Sequence, residues 1–168
     1  GRLHIDMCIT ALEDVYFNYG QNVSTGFRHD DCLFYMPGFW YRRNLRSPKK
    51  APSFHTSDSW LVREDRLSAP LTGIFSEKEK RFMTVNRLDD FSMDALATHK
   101  EGEIILSGKT SLGFTGFENQ QGIAMLSFGF PYREAPKSYI RKLTLAPEVE
   151  AFQLMKKGES VLLTWEIM

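Results

Sequence analysis

Cysteine is scarce in this sequence, since its 168 residues include only Cys8 and Cys32. Two thiols without a Cys-x-x-Cys spacing supply neither a disulfide framework nor a cysteine zinc site. Cys8 lies between apolar Met7 and Ile9, and an unpaired cysteine usually packs as a small core residue. We therefore expect two free, buried thiols and no metal site, with one bridge between neighbouring strands as the alternative.

Net charge and long apolar runs are also absent. The 21 basic residues are balanced by 21 acidic ones, so the chain lacks the cation surplus with which a dedicated nucleic-acid binder displaces counterions. No apolar run approaches the roughly 20 residues that cross a bilayer, and no signal peptide is recognisable. These absences predict no nucleic-acid partner and no membrane span.

The familiar catalytic motifs are missing as well. Gly-x-Ser-x-Gly, the P-loop and His-Glu-x-x-His do not occur. Adjacent carboxylates such as Glu64 and Asp65 point to opposite faces of a strand, so they cannot flank one glycosidic bond. The sequence thus predicts no cofactor and no catalytic residue, although a carboxylate pair assembled from separate segments stays open.

What the sequence does contain is strand signal. Aromatic residues make up 13% of the chain, including 13 Phe, and many short runs alternate between apolar and polar residues, as residues 3–9 and 161–167 do. Leu71–Phe75 and Phe82–Val85 predict a hairpin with a charged tip. We predict a single all-β domain over residues 1–168, a mostly antiparallel β-sandwich with at most one short helix, within Asp90–Thr98.

The segment Phe34–Leu71 is the best candidate for a functional surface. It holds two of the three tryptophans and seven Lys or Arg residues. Sugars stack on aromatic rings, and guanidinium and amide groups bind hydroxyls and carboxylates. The alternative is that Trp40 is core and the arginines are a solvated face. The candidate residues for carbohydrate binding or a domain interface are Trp40, Tyr41, Arg42, Arg43, Asn44, Trp60, Arg63, Glu64, Asp65 and Arg66.

The run Arg63-Glu64-Asp65-Arg66 alternates in charge between apolar neighbours. On a strand, Arg63 and Asp65 share one face while Glu64 and Arg66 share the other. Exposed pairs of this kind add at most about 1 kcal/mol, so their better use is as specific contacts to a docked domain. A plain solvated strand is the alternative.

Several short motifs, taken in their order along the chain, resemble a known protein family. They are Met36-Pro37-Gly38-Phe39-Trp40-Tyr41 with Asn44, Arg63-Glu64-Asp65-Arg66-Leu67 with Pro70, Ser111-Leu112-Gly113-Phe114, Phe130-Pro131-Tyr132-x-Glu134, and the closing strand from Lys157-Gly158-Glu159 to Trp165. Together they resemble the N-terminal β-supersandwich domain of large bacterial glycoside hydrolases, which precedes a six-hairpin (α/α)6 catalytic domain.

The resemblance implies a fragment of a longer protein, with the catalytic carboxylates in a C-terminal catalytic domain as its partner. It also implies a secreted or periplasmic location. The absence of a leading Met and the stop directly after a patterned strand agree with a fragment. We expect a non-catalytic domain that scaffolds or lines a sugar cleft. Alternatives are a free-standing carbohydrate-binding module, with Trp40, Tyr41 and Trp60 as its stacking platform, and a small glycan-active enzyme with an unseen site.

Overall fold

The computed structural model describes residues 1–38, 57–89, 97–100, 103–106, 111–135 and 149–168. These residues form mostly antiparallel β-structure, and their helical segments are two three-residue 3-10 turns, His29–Asp31 and Glu64–Arg66. The strands in chain order are β1 (Leu3–Thr10), β2 (Val15–Phe17), β3 (Tyr19–Arg28), β4 (Cys32–Tyr35), β5 (Ser59–Arg63), β6 (Leu71–Ser76), β7 (Arg81–Arg87), β8 (Ala97–Lys100), β9 (Glu103–Leu106), β10 (Phe114–Gln120), β11 (Ile123–Phe130), β12 (Arg133–Glu134), β13 (Val149–Met155) and β14 (Ser160–Ile167). The predicted all-β fold class is confirmed.

Two antiparallel sheets face each other. The five-stranded sheet has the order β1-β14-β7-β6-β4, and the four-stranded sheet has the order β3-β11-β10-β5. Alternate residues of each strand enter the space between them, as Trp165 of β14 and Phe128 of β11 do, with ring centroids 5.0 Å apart. The alternation read from residues 161–167 therefore does place one face of β14 in the core.

The predicted hairpin is present as β6 and β7. Their register runs from Leu71 opposite Asn86 to Ser76 opposite Arg81, and residues 77–80 form the turn. The charged tip is exposed, as expected for a turn that contacts nothing apolar. The helix expected within Asp90–Thr98 fails at Ala97 and Thr98, which belong to β8, and its other residues lie outside the described part of the chain.

A third sheet, with the order β12-β13-β9-β8 and with β2 also on β13, was not predicted. Its strands β9 and β13 are parallel, from Glu103 opposite Glu150 to Leu106 opposite Gln153. It has a small core of its own that includes Leu112 and Tyr132. Ala135 continues from β12 and bridges Leu61 of β5, so the third sheet is tied to the four-stranded one.

Neither Cys8 nor Cys32 forms a disulfide, and only Cys32 is buried. The expectation of a buried Cys8 is wrong, because Cys8 shares the exposed side of β1 with His4 and Asp6, while Met7 and Ile9 pack on the core. Among the described residues, no helix has the length and apolar character that crossing a membrane requires.

Candidate functional site

The charged residues expected to form one strand lie at a corner of the sandwich. Strand β5 ends at Arg63, and Glu64–Arg66 form a 3-10 turn that Leu67 closes by donating its N–H to the Glu64 carbonyl, at 3.1 Å. The prediction that this run forms a strand is therefore wrong for Glu64, Asp65 and Arg66. In a 3-10 turn successive side chains point in three directions, whereas in a strand they alternate between two faces. We call Arg63, Glu64, Asp65, Arg66, Arg87, Asp89, Tyr132 and Glu134 the charged corner.

At the centre of the charged corner lies Arg87, the last residue of β7, whose side chain is fully buried. Its Nη1 donates to Glu64 Oε2 at 3.1 Å, while Nε and Nη2 donate to the two Asp89 carboxylate oxygens at 2.6 and 2.8 Å. Nη2 also donates to the Ser111 carbonyl at 3.0 Å. The guanidinium lies 5.2 Å from the ring centroid of Trp165. This fork geometry is the one in which arginine binds carboxylates most strongly.

The Glu64 carboxylate is held from a second direction. Gly113 donates its backbone N–H to Glu64 Oε2 at 2.8 Å. A Cβ on Gly113 would approach the Gly129 carbonyl oxygen to 2.2 Å and Glu64 Oε2 to 3.1 Å. The approach of the chain to the buried carboxylate thus requires glycine at position 113.

Burial decides the electrostatics of Glu64. Desolvation raises the pKa of its carboxyl to about 7, against the opposing effects of the Arg87 charge and the Gly113 N–H. For Asp89, which is partly exposed, burial also acts to raise the pKa, but the hydrogen bond and charge of Arg87 outweigh it and lower the pKa. Burial acts to lower the pKa of Arg87, and its two carboxylate partners more than offset this, so its pKa is raised.

The outer part of the charged corner carries two further ion pairs. Arg63 donates from Nε and Nη2 to the two oxygens of Asp65, at 3.0 and 2.6 Å, and its guanidinium lies 4.6 Å from the ring centroid of Tyr132. Arg66, 42% exposed in its side chain, pairs with Glu134, which is 4% exposed. Asp65 and Arg66 are therefore the members of the run that solvent or a partner can reach.

The predicted site residues are only partly brought together. Arg63, Glu64, Asp65 and Arg66 meet at the charged corner, whereas Trp60 is 7% exposed, belongs to the main core and donates its indole N–H to the Ser57 carbonyl. In this position its ring is not open for stacking on a sugar. The remaining predicted residues, Trp40, Tyr41, Arg42, Arg43 and Asn44, lie outside the described residues.

Sequence reasoning missed Arg87 and Asp89 as members of this cluster. Arg87 is the last residue of β7. Its burial depends on Glu64, which is distant in sequence, and on Asp89, which lies beyond the strand end. Tyr132 and Glu134 occur together in one of the motifs, but the sequence does not link them to Arg63 and Arg66. The useful signal was the set of short motifs, because four of them supply or contact the residues of this one corner.

The carboxyl groups at the centre of the charged corner are already bound by Arg87. Glu64 and Asp89 face a guanidinium that already binds both, so neither carboxylate is poised as a general acid beside an open space. Within the described ranges, no three His, Cys, Asp or Glu side chains are grouped so as to hold a metal ion. Each of the two buried carboxylates of the charged corner, Glu64 and Glu134, is thus paired with an arginine.

Comparison with known proteins adds no relative. No family model matches the sequence, and no curated protein or solved structure matches it either.

Proposed function

We propose that this chain is a non-catalytic β-sandwich domain of a carbohydrate-active enzyme, a glycoside hydrolase, and that it supports a separate catalytic domain. The observation that carries the proposal is the convergence of the resembling motifs. Arg63–Arg66, Ser111–Phe114, Phe130–Glu134 and the strand ending near Trp165 come from four distant parts of the sequence and contribute to one charged corner.

Internal pairing explains why such a corner supports and does not catalyse. Arg87 binds the carboxyl groups of Glu64 and Asp89, and Arg66 pairs with Glu134. A buried charge that loses its partner is costly, so these groups hold one conformation of the corner. A surface fixed in this way is preorganised for a partner domain, and Asp65 and Arg66 at its edge supply specific charge contacts.

The first test is of activity and sugar binding by the chain alone. The proposal predicts no hydrolysis of a panel of aryl glycosides above the rate of a buffer blank, and no heat of binding to the matching oligosaccharides by calorimetry. Hydrolysis abolished by Glu64→Gln or Glu134→Gln would overturn it in favour of a small enzyme. Oligosaccharide binding without hydrolysis would favour a carbohydrate-binding module.

The second test is of docking. The purified chain is titrated into the separately purified remainder of its natural polypeptide, and we expect binding that Asp65→Lys weakens by about tenfold through a reversed charge. Glu79→Lys, on the exposed hairpin tip, is the matched control and should leave binding unchanged. Absence of any remainder, or equal binding by both variants, contradicts docking through the charged corner.

A further inference from the structure

Strand β1 ends the five-stranded sheet among the strands that the structure describes. It pairs with β14 over all eight of its residues in one unbroken register, from Leu3 opposite Ile167 to Thr10 opposite Ser160. Edge strands are usually protected from further pairing by proline, lysine or a bulge. Strand β1 has no proline or lysine, and its register with β14 contains no bulge, so apart from the Asp6 carboxylate it offers a long and regular edge.

The backbone groups on that edge can be assigned. Ala11, directly after β1, donates its N–H to the Glu159 carbonyl at 2.9 Å and accepts from the Gly158 N–H at 2.8 Å. Antiparallel residues bond alternately to one neighbour and then away from it, so the odd-numbered residues of β1 bond to β14. The N–H and C=O groups of His4, Asp6 and Cys8 therefore point toward the open edge.

The side chains of β1 favour one kind of partner strand. His4 and Asp6 lie on the exposed side, with His4 Nε2 3.0 Å from Asp6 Oδ1, while Ile5 and Met7 are half-buried on the core side. Two copies of β1 running antiparallel about a two-fold axis at Ile5 place each His4 opposite the partner's Asp6 and each Leu3 opposite the partner's Met7. A histidine ring that faces a carboxylate across two strands can donate a hydrogen bond to it, which stabilises the strand pair.

A neighbouring register with the same faces is less favourable. Shifting the axis to Asp6 would bring two carboxylates directly opposite each other, which destabilises a strand pair. The axis at Ile5 avoids this and still sets the outward backbone groups of His4 and Asp6 against their counterparts, as the antiparallel ladder requires. Of these two registers, the axis at Ile5 is the one in which Asp6 faces a hydrogen-bond donor and not a second carboxylate.

We infer that the open edge of β1 binds β1 of a second copy of this chain, antiparallel, with Ile5 at the two-fold axis. The two five-stranded sheets then join into one sheet across the dimer, an isologous contact. An interface made of one strand edge lies at the small end of specific interfaces, so we expect a dissociation constant of the order of tens of micromolar. This inference is independent of the proposed function.

Sedimentation velocity of the chain over about 1–500 μM, a range that brackets the expected constant, tests the dimer. We expect His4→Asp to weaken dimerisation by about tenfold, since it sets two pairs of like charges opposite each other. The swapped double variant His4→Asp with Asp6→His should restore dimerisation to within about threefold, because it exchanges the two opposed side chains symmetrically. A monomer throughout the range, or a dimer indifferent to His4→Asp, overturns the inference.

Cross-linking tests the alignment. In a Cys8→Ser background, Ile5→Cys places two thiols in a directly opposed pair without mutual hydrogen bonds, where Cα atoms lie about 4.5 Å apart, within disulfide range. Met7→Cys in the same background is the control, because its two copies would lie about 14 Å apart along the strands. Oxidation should give a covalent dimer with Ile5→Cys alone. Cross-linking at position 7 and not at position 5 contradicts the inferred alignment.

Discussion

Gly113 donates its backbone N–H to the buried Glu64 carboxylate. A methyl group there meets the Gly129 carbonyl oxygen at 2.2 Å, a backbone atom that cannot turn aside, and it crowds Arg87 Nη1 at 3.3 Å. We expect Gly113→Ala to reduce the free energy of unfolding by about 3 kcal/mol, the upper part of the range for overpacking. Urea denaturation followed by tryptophan fluorescence measures the change.

Gly20→Ala is the matched control for that substitution. Gly20 lies on strand β3, and a Cβ there meets only Phe114 Cζ at 3.4 Å, an ordinary contact. The free energy of unfolding of Gly20→Ala should stay within about 0.5 kcal/mol of that of the unchanged protein. Equal losses for the two alanine variants would show that the close approach at Gly113 does not matter.

The sequence could indicate Glu64 as a candidate but not its environment. An alternating charged run beside apolar residues predicts an exposed strand, and exposed Asp65 fits that prediction in part. Glu64 is instead 1% exposed, because Arg87 and the Gly113 N–H compensate its charge from segments distant in sequence. Compensation of this kind is non-local, so periodicity along one strand does not report it.

At the scale of elements, a pair of threonines joins the facing sheets. Thr72 of β6 and Thr115 of β10 are both buried, and their hydroxyl oxygens are 2.7 Å apart. Thr84 of β7 is also buried, but its Oγ1 has no hydrogen-bond partner among the described residues. The same substitution, Thr to Val, replaces a hydroxyl by a methyl group at both positions. It therefore removes a hydrogen bond at Thr72 and an unpaired polar atom at Thr84.

We expect Thr72→Val to destabilise the protein by about 1–2 kcal/mol, since it leaves the Thr115 hydroxyl buried without a partner. Thr84→Val should be neutral or stabilising by up to about 1 kcal/mol. The double variant Thr72→Val with Thr115→Val should lose less than the sum of its single variants. Denaturation curves of the four variants decide this, and additive losses would mean that the two hydroxyls do not interact across the sheets.

The strand pairing that the sequence predicted is the one between neighbours in the chain. Strands β6 and β7 are joined by a short charged turn, so the alternation of two adjacent runs was enough to pair them. Strands β9 and β13 pair in parallel from distant positions, and nothing in either run specifies the other. Leu106 of β9 and Ala151 of β13 meet in the small core that contains Tyr132, a contact that forms only in the folded chain.

For the whole molecule, the sequence composition predicted the fold class because an aromatic-rich chain with short alternating runs buries its apolar residues best between sheets. The arrangement into three sheets follows from long-range pairing and was not predicted. The same long-range contacts bury Glu64, so they also give the folding equilibrium a pH dependence that no local pattern indicates.

Folding stability should decrease as the pH rises through the range set by Glu64. The pKa of its carboxyl is about 7 in the folded chain and near the ordinary value of 4.5 in the unfolded chain. Between these values the folded state binds more protons, so the free energy of unfolding falls with rising pH. The full effect of the Glu64 carboxyl is of the order of 3 kcal/mol, at about 1.4 kcal/mol for each pKa unit. Asp89 changes the stability in the opposite direction at lower pH. Its pKa is lowered in the folded chain, so its contribution to stability is lost as the pH falls toward that pKa.

Urea denaturation at several pH values between 5 and 8, the range in which a carboxyl of pKa about 7 changes its charge, measures this dependence. We expect Glu64→Gln to remove most of the decline, because the amide keeps a neutral acceptor for the Gly113 N–H and has no proton to lose. Glu79→Gln, which changes a carboxylate on the exposed hairpin tip, controls for the loss of one acidic group. If the unchanged protein and Glu64→Gln give parallel pH profiles, Glu64 is ionised throughout this range, and attraction to Arg87 outweighs its burial.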